Sequence, residues 1–175
     1  MLTADTPVFT PPGPIIFDVE FPRWIHDLTQ QGIWPAKKDE LSRAAQWAAE
    51  FGLSVSFEAF LEAERQLVVL RRELSDFFAT HEVLLTPTVA CRPYGADAPY
   101  PTEVDGHDVS RITIEPFTQL STCGWLPSIS VPAGLSSDGL PIGLQIVAGP
   151  NRDDVVLRLA RILELSEPWP LTAPV

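Results

Sequence analysis

The side chains of this sequence that could do covalent or acid–base chemistry are few and scattered. Ser136 and Ser137 form a doublet in "GLSSDG", between the apolar runs "SISVPAG" and "LPIGLQIVAG". A nucleophilic serine needs a base within hydrogen-bond reach and a backbone that presents its hydroxyl. The segment lacks the G-x-S-x-G spacing of a nucleophile elbow, and that elbow joins a strand to a helix rather than two strands. Ser, Asp and Gly between apolar runs are hairpin chemistry, with Asp138 and Gly139 expected at the positive-φ positions. The doublet reads as a turn.

The histidines do not assemble either. His26 falls in a helical stretch, His81 at a helix end, and His107 in "EVDGHDVS" beside Asp105 and Asp108. No pair has the i, i+4 spacing of a zinc helix, and no Cys/His cluster completes a metal site. His81 is expected to favour the carbonyl end of its helix, and His107 is expected to be a solvent-exposed loop residue. Cys123, in "STCGW", could be activated by a helix terminus, but a small buried thiol is the simpler expectation. Gln145 stands mid-strand among apolar neighbours, where an unmet amide costs roughly 1–3 kcal/mol. It either anchors a structural network or faces a pocket. Glycine-rich phosphate loops are absent, so no cofactor and no metal is expected.

The charge balance narrows the partners. With 23 acidic against 12 basic side chains, the formal net charge is −11. That disfavours nucleic acid, which needs a basic footprint, and docking on anionic membranes. No apolar run approaches a membrane span, and the "MLTADTPVFTPPGP" start lacks the basic and apolar regions of a signal peptide. Two cysteines without a CxxC pair or framework spacing point to a reduced, cytoplasmic setting. At 175 residues, 45% of them hydrophobic, one core is the expectation.

The elements that must position these residues follow from periodicity. A first helix is expected from Pro22 to Gln31, with proline in its first turn and Gly32 as the stop. A second covers "DELSRAAQWAAEF" and ends at Gly52. The third begins at Ser56, a good N-cap. Its Phe57, Phe60, Leu61, Leu67, Val68, Leu70, Leu74, Phe77 and Phe78 recur at helical steps, predicting one buried face. "EVLLTPT" reads as a short buried strand, and residues 89–110 as a long surface loop. The two apolar runs near the C-terminus read as a hairpin of strands buried on both faces. Asn151, Asp153 and Asp154 are expected to cap and charge the start of the helix "VVLRLARILEL". The pattern predicts an α/β layer structure with helices on either side of a sheet.

From Glu82 to Trp169 the chain resembles the C-terminal portion of an amidase-signature hydrolase. The resemblance rests on "LLTPT", "FTQLSTCGWLPSISVPAG", "GLPIGLQIVAG" and "RDDVVLRLARILE…PWP", in that order. It implies part of the amidase-signature fold: a mixed β-sheet flanked by helices, with an N-terminal helical segment. Residues 1–175 would form one partial domain, helical over 39–81 and sheet-forming over 82–169, with 1–38 unassigned. Such enzymes hydrolyse amides with a Ser–cis-Ser–Lys triad, the neutral lysine relaying a proton and backbone N–H groups holding the oxyanion. No histidine is needed.

The resemblance also implies what is missing. The glycine/serine-rich signature and catalytic lysine of the family find no counterpart here, since Lys37 and Lys38 stand adjacent at a helix start. No catalytic residue is therefore assigned, and the chain alone is expected to be inactive. A small amide would be its substrate once a catalytic N-terminal half is supplied. One wall of the substrate cleft falls on the loop after Thr88 and on "FTQLSTCGW", giving Thr118, Thr122, Cys123 and Trp125 as substrate-binding residues. Thr122 and Trp125 occupy the Asn and Gly positions of the family's Asn-x-x-Gly-x-Pro pattern. The alternatives are a non-catalytic binding remnant, or an unrelated enzyme using His107 or Cys123. Strand edges left bare by a partial sheet recruit partners, so a homo-oligomer or a partner chain is expected.

Overall fold

A computed structural model describes residues 13–95, 101–109 and 115–169. Helix α1 (Gly13–Gln30), α2 (Arg43–Ser54) and α3 (Phe57–Phe78) lead into strand β1 (Val83–Pro87). A two-residue ribbon of β2 (Glu103–Val104) and β3 (His107–Asp108) precedes α4 (Pro116–Gly124). Strands β4 (Ser128–Leu135) and β5 (Pro141–Ala148) then form the hairpin, and α5 (Asp153–Ser166) follows. No described helix is long and apolar enough to cross a membrane.

The main sheet has the order β1–β5–β4, and both pairings are antiparallel. Leu84 faces Val147 and Thr86 faces Gln145 on one side; Ser130 faces Gln145 on the other. Alternation then sends Gly143, Gln145 and Val147 to one face, and Leu144, Ile146 and Ala148 to the opposite face. The first face meets α3 and α4, where Val147 packs with Leu70, Leu74, Leu120 and Cys123. The second meets α5, where Ile146 and Ala148 pack with Val155, Val156 and Ala160. Helices therefore do lie on both sides of the sheet.

Several local expectations need correction. Helix α1 begins well before Pro22 and carries that proline in its interior. Gly52 does not stop α2 but lies within it and is buried. A Cβ there would fall 2.5 Å from the Phe21 carbonyl oxygen, so glycine is what lets α2 cross α1 at close range. Helix α2 starts at Arg43, capped by Ser42 Oγ, which accepts from Ala45 N at 3.2 Å; residues Lys38–Glu40 form a separate 3-10 turn. Ser56 caps α3 as expected, accepting from Ala59 N at 3.1 Å.

On α3 only Ala63, Leu67, Leu70 and Leu74 are buried. Phe57, Leu61 and Val68 are at least half exposed, because the apolar residues extend around more of the helix than α1 and α4 cover. Strand β1 is half-buried rather than buried, with Leu85 exposed on the sheet's edge. The hairpin strands do not bury both faces along their length: in β4 only Val131 is buried, and in β5 burial begins at Gln145. Within the long loop, Asp105 (φ 50°) and Gly106 (φ 75°) make the two-residue turn between β2 and β3. An Asp-Gly pair is the signal for that turn. Asn151 does not cap α5; it takes φ 60°, and Arg152 is the N-cap, while Asp153 and Asp154 do lie in the first turn.

Candidate functional site

The serine doublet lies in a turn. Ser136 N donates to the Leu140 carbonyl at 2.8 Å, and Gly139 N to the Ser136 carbonyl at 2.9 Å. Gly139 has φ 80°, whereas Asp138 is not among the left-handed residues, which corrects half of the expected pair. Ser136 Oγ donates to Asp138 Oδ1 at 2.5 Å and accepts from Leu140 N at 3.1 Å. That hydroxyl is the first cause, ahead of the Arg92 guanidinium, of a carboxyl held below the ordinary aspartate range. A carboxylate with a lowered pKa is a poor general base. The turn has no activated nucleophile.

Gly143 explains a second glycine of the hairpin. Thr88 Oγ1 and Ser130 Oγ hydrogen-bond at 2.6 Å across β5, and a Cβ on Gly143 would come within 2.6 Å of Thr88 Oγ1. Two residues along the same face, Gln145 is 2% exposed and its Nε2 donates to the Phe117 carbonyl at 3.2 Å. The Nε2 thus ties β5 to the first turn of α4, while the buried Oε1 has no hydrogen-bond partner among the described residues. Ser128 Oγ adds a second tie, donating to Ser121 Oγ at 3.2 Å.

Helix α4 and its C-cap carry all four sequence-derived binding residues, but do not turn them to one place. Thr118 Oγ1 donates to the Glu115 carbonyl at 3.1 Å and Thr122 Oγ1 to the Thr118 carbonyl at 3.0 Å. These two share a face, at i and i+4. Cys123 lies on the core side, 3% exposed, and burial pushes its thiol up to about 11. A thiol so protonated is inert, which removes the reading of Cys123 as a nucleophile. Trp125 ends the helix at φ 54°, 71% exposed. Its N–H reaches the Thr122 carbonyl at 3.2 Å and Leu126 N the Ser121 carbonyl at 3.0 Å, a Schellman close. That is a position where glycine is usual, so the family's Gly position here holds a left-handed tryptophan.

Sequence reasoning missed Arg71. From α3 its Nε donates to the Cys123 carbonyl at 2.8 Å, and its guanidinium carbon lies 3.7 Å from the centre of the Trp125 ring. Nothing in local spacing signals it, because its partners are some fifty residues away.

Two clefts among the described residues are candidates. One, of about 500 Å³, is lined by the loop after β1 (Val89, Cys91, Arg92), Glu115, and the bare end of the hairpin at Ile142 and Gly143. It uses the predicted loop wall, but of α4 and its N-cap it takes Glu115 rather than Thr118, Thr122, Cys123 or Trp125. The other, of about 610 Å³, lies between α1 and α3 near His26 and Phe57. Arg23 there is held by Glu20 and Glu64, as Arg92 in the first cleft is by Asp138; the first cleft is the better candidate site because it uses the predicted loop wall. His107 is exposed on β3, and His81 Nδ1 lies 3.0 Å from the Phe77 carbonyl at the end of α3, its ring stacked on Phe77. Among the described residues no three His, Cys, Asp or Glu side chains gather as metal ligands.

These features coincide with known proteins. The Amidase family matches residues 28–157, and the chain belongs to that family. It is 39% identical over 108 residues to AmiC of Mycobacterium bovis, named as an amidase, covering 59% of this chain and 22% of that protein. It is 33% identical over 107 residues to a glutamyl-tRNA(Gln) amidotransferase component of Bartonella quintana, covering 60% of this chain and 21% of the relative. A solved bacterial aryl acylamidase of the amidase-signature family superposes with a TM-score of 0.71 at 21% identity, over 94% of this chain and 36% of that one. The chain thus has the amidase-signature fold, and spans about a fifth of the length of the curated relatives it matches.

Proposed function

We propose that this chain takes part in hydrolysis of carbon–nitrogen amide bonds by building the sheet and one substrate wall of an amidase. The Ser–cis-Ser–Lys nucleophile is supplied by polypeptide outside these 175 residues. The observation that carries this reading is the placement of lysine: among the described residues neither Lys37 nor Lys38 hydrogen-bonds a serine, and Lys38 Nζ is held by Glu50 at 2.6 Å. In this reading the loop after β1 and Glu115 form the wall, Thr118, Thr122 and Trp125 flank it on α4, and Cys123 supports α4 from the core. A small amide is the substrate, and a partner chain or second copy covers the bare hairpin end. The two free thiols suit a cytoplasmic setting.

Ammonia release from simple amides and aryl amides tests the reading. The chain alone should release none, and the chain joined behind the amino-terminal part of AmiC should release it. Hydrolysis by the chain alone would overturn the proposal. A second reading, a binding remnant without chemistry, is favoured by Thr122 and Trp125 standing at the family's Asn and Gly positions. A folded fusion that binds amides but never turns them over would select it.

A further inference from the structure

Beside the carboxyl end of α4 stands a cation, Arg71, that makes no ion pair with a carboxylate among the described residues. Six arginines of the described residues (Arg23, Arg65, Arg92, Arg152, Arg158 and Arg161) reach carboxylates. Arg43 and Arg72 have none but are exposed, so water meets their charge. Arg71 is half-buried, and among the described residues no carboxylate pairs with it, in a chain with 23 acidic residues to choose from. Its Nε is used by the Cys123 carbonyl, and its flat face by the Trp125 ring. Those two contacts fix the fork and leave its terminal amino groups without a protein partner among the described residues.

A second observation points the same way. Trp125 occupies a left-handed position that costs an ordinary residue roughly 1–2 kcal/mol, where a glycine would relax. It is also 71% exposed, so core packing does not account for the ring. Strain of this kind concentrates where a side chain serves a ligand. The stack over Arg71 is what the ring does accomplish, and a stacked guanidinium is preorganised to take a carboxylate with two parallel N–H donors.

We propose that Arg71 and Trp125 form a recognition site for an organic carboxylate, the guanidinium gripping the anion and the indole edge meeting the apolar body. This rests on the amidase reading only in calling the ligand a substrate: the preferred amide would carry a carboxylate. Partial burial strengthens the ion pair over one in open water.

Calorimetric titration of the whole chain with benzoate, against benzamide as its uncharged counterpart, tests the site. Benzoate should bind at least about tenfold more tightly than benzamide, as a charge-assisted bidentate contact requires. Arg71→Gln should lose that advantage, and Arg71→Lys, which keeps the charge but not the fork, should fall between. Trp125→Gly, which suits the left-handed backbone, should weaken benzoate about threefold through the lost stack. Circular dichroism of each variant reports folding; if Arg71→Gln unfolds, Arg71→Lys and Trp125→Gly carry the test. Absent benzoate binding, equal affinity for the two probes, or variants that bind like the parent would each overturn the site. Hydrolysis plays no part in the titration, so a failed ammonia assay with charge-selective binding sinks the amidase reading alone, and the converse result sinks this site alone.

Discussion

The two ends of the β4–β5 hairpin are built from equally apolar sequence and end in opposite environments. At one end Gln145, Ile146, Val147 and Ala148 are all buried, roofed by α4 on one face and α5 on the other. At the other end Leu135 is 69% and Ile142 44% exposed, beside the 500 Å³ cleft. Composition does not separate them; coverage does. The difference teaches that an apolar strand is buried only where another element lies over it. Where no described helix covers it, the same residues stay exposed.

Substitutions can break or sharpen that contrast. Ile146→Ala should cost about 2–5 kcal/mol in a denaturant titration, whereas Leu135→Ala should stay within about 0.5 kcal/mol. Equal effects would mean the bare end is covered in solution. At the junction of the two ends, Gly143→Ala should cost about 1–3 kcal/mol by pushing into the Thr88 hydroxyl. Adding Thr88→Ala should recover part of that loss, because the closest atom is then gone. On the roof of the buried end, Trp125→Gly should be more stable than Trp125→Ala by about 1 kcal/mol, since only glycine relieves the left-handed backbone.

The thiols make the comparison chemically. Cys91 lines the cleft at the bare end and Cys123 sits in the core. Iodoacetamide at mild alkaline pH should label Cys91 in the native chain and reach Cys123 only on unfolding, as peptide mapping would read. Burial raises the Cys123 thiol from 9.0 to about 11, so the folded chain holds a proton that the unfolded chain releases sooner. Its contribution to stability is therefore complete below pH 9 and is lost as pH rises through about 11. A melting series over that window should decline more steeply in the parent than in Cys123→Ala.

Where local chemistry decides structure, the sequence was legible. Ser56 capped its helix, His81 met a terminal carbonyl, and the Ser136–Gly139 segment made a turn. The family was legible for the same reason, in short ordered motifs. Legibility failed where distant chain decides. Pro22 and Gly52 look like a helix start and a helix stop, yet they meet each other across α1 and α2, where the missing Cβ matters more than the glycine's freedom. The apolar stripe of α3 could not show which of its residues lacked a neighbour. Gln145 could be seen to need a partner, but the Phe117 carbonyl that supplies one depends on how α4 lies over the sheet. Arg71 gave no sign at all, because its value depends on a carbonyl and a ring from another helix.

The strand order also fixes a sequence of events in time. Strand β5 meets β4 through a local turn, but it meets β1 only by closing the chain between Pro87 and Leu144. A hairpin forms in about 1–10 μs, while distant pairing must first meet the entropy of loop closure. The hairpin is therefore the earlier structure, and for an interval β5 presents one full ladder of unpaired amides beside its most apolar residues. Chains crowded during that interval would find each other by that ladder. Aggregation on refolding should then rise with concentration and fall when β1 docks faster onto β5.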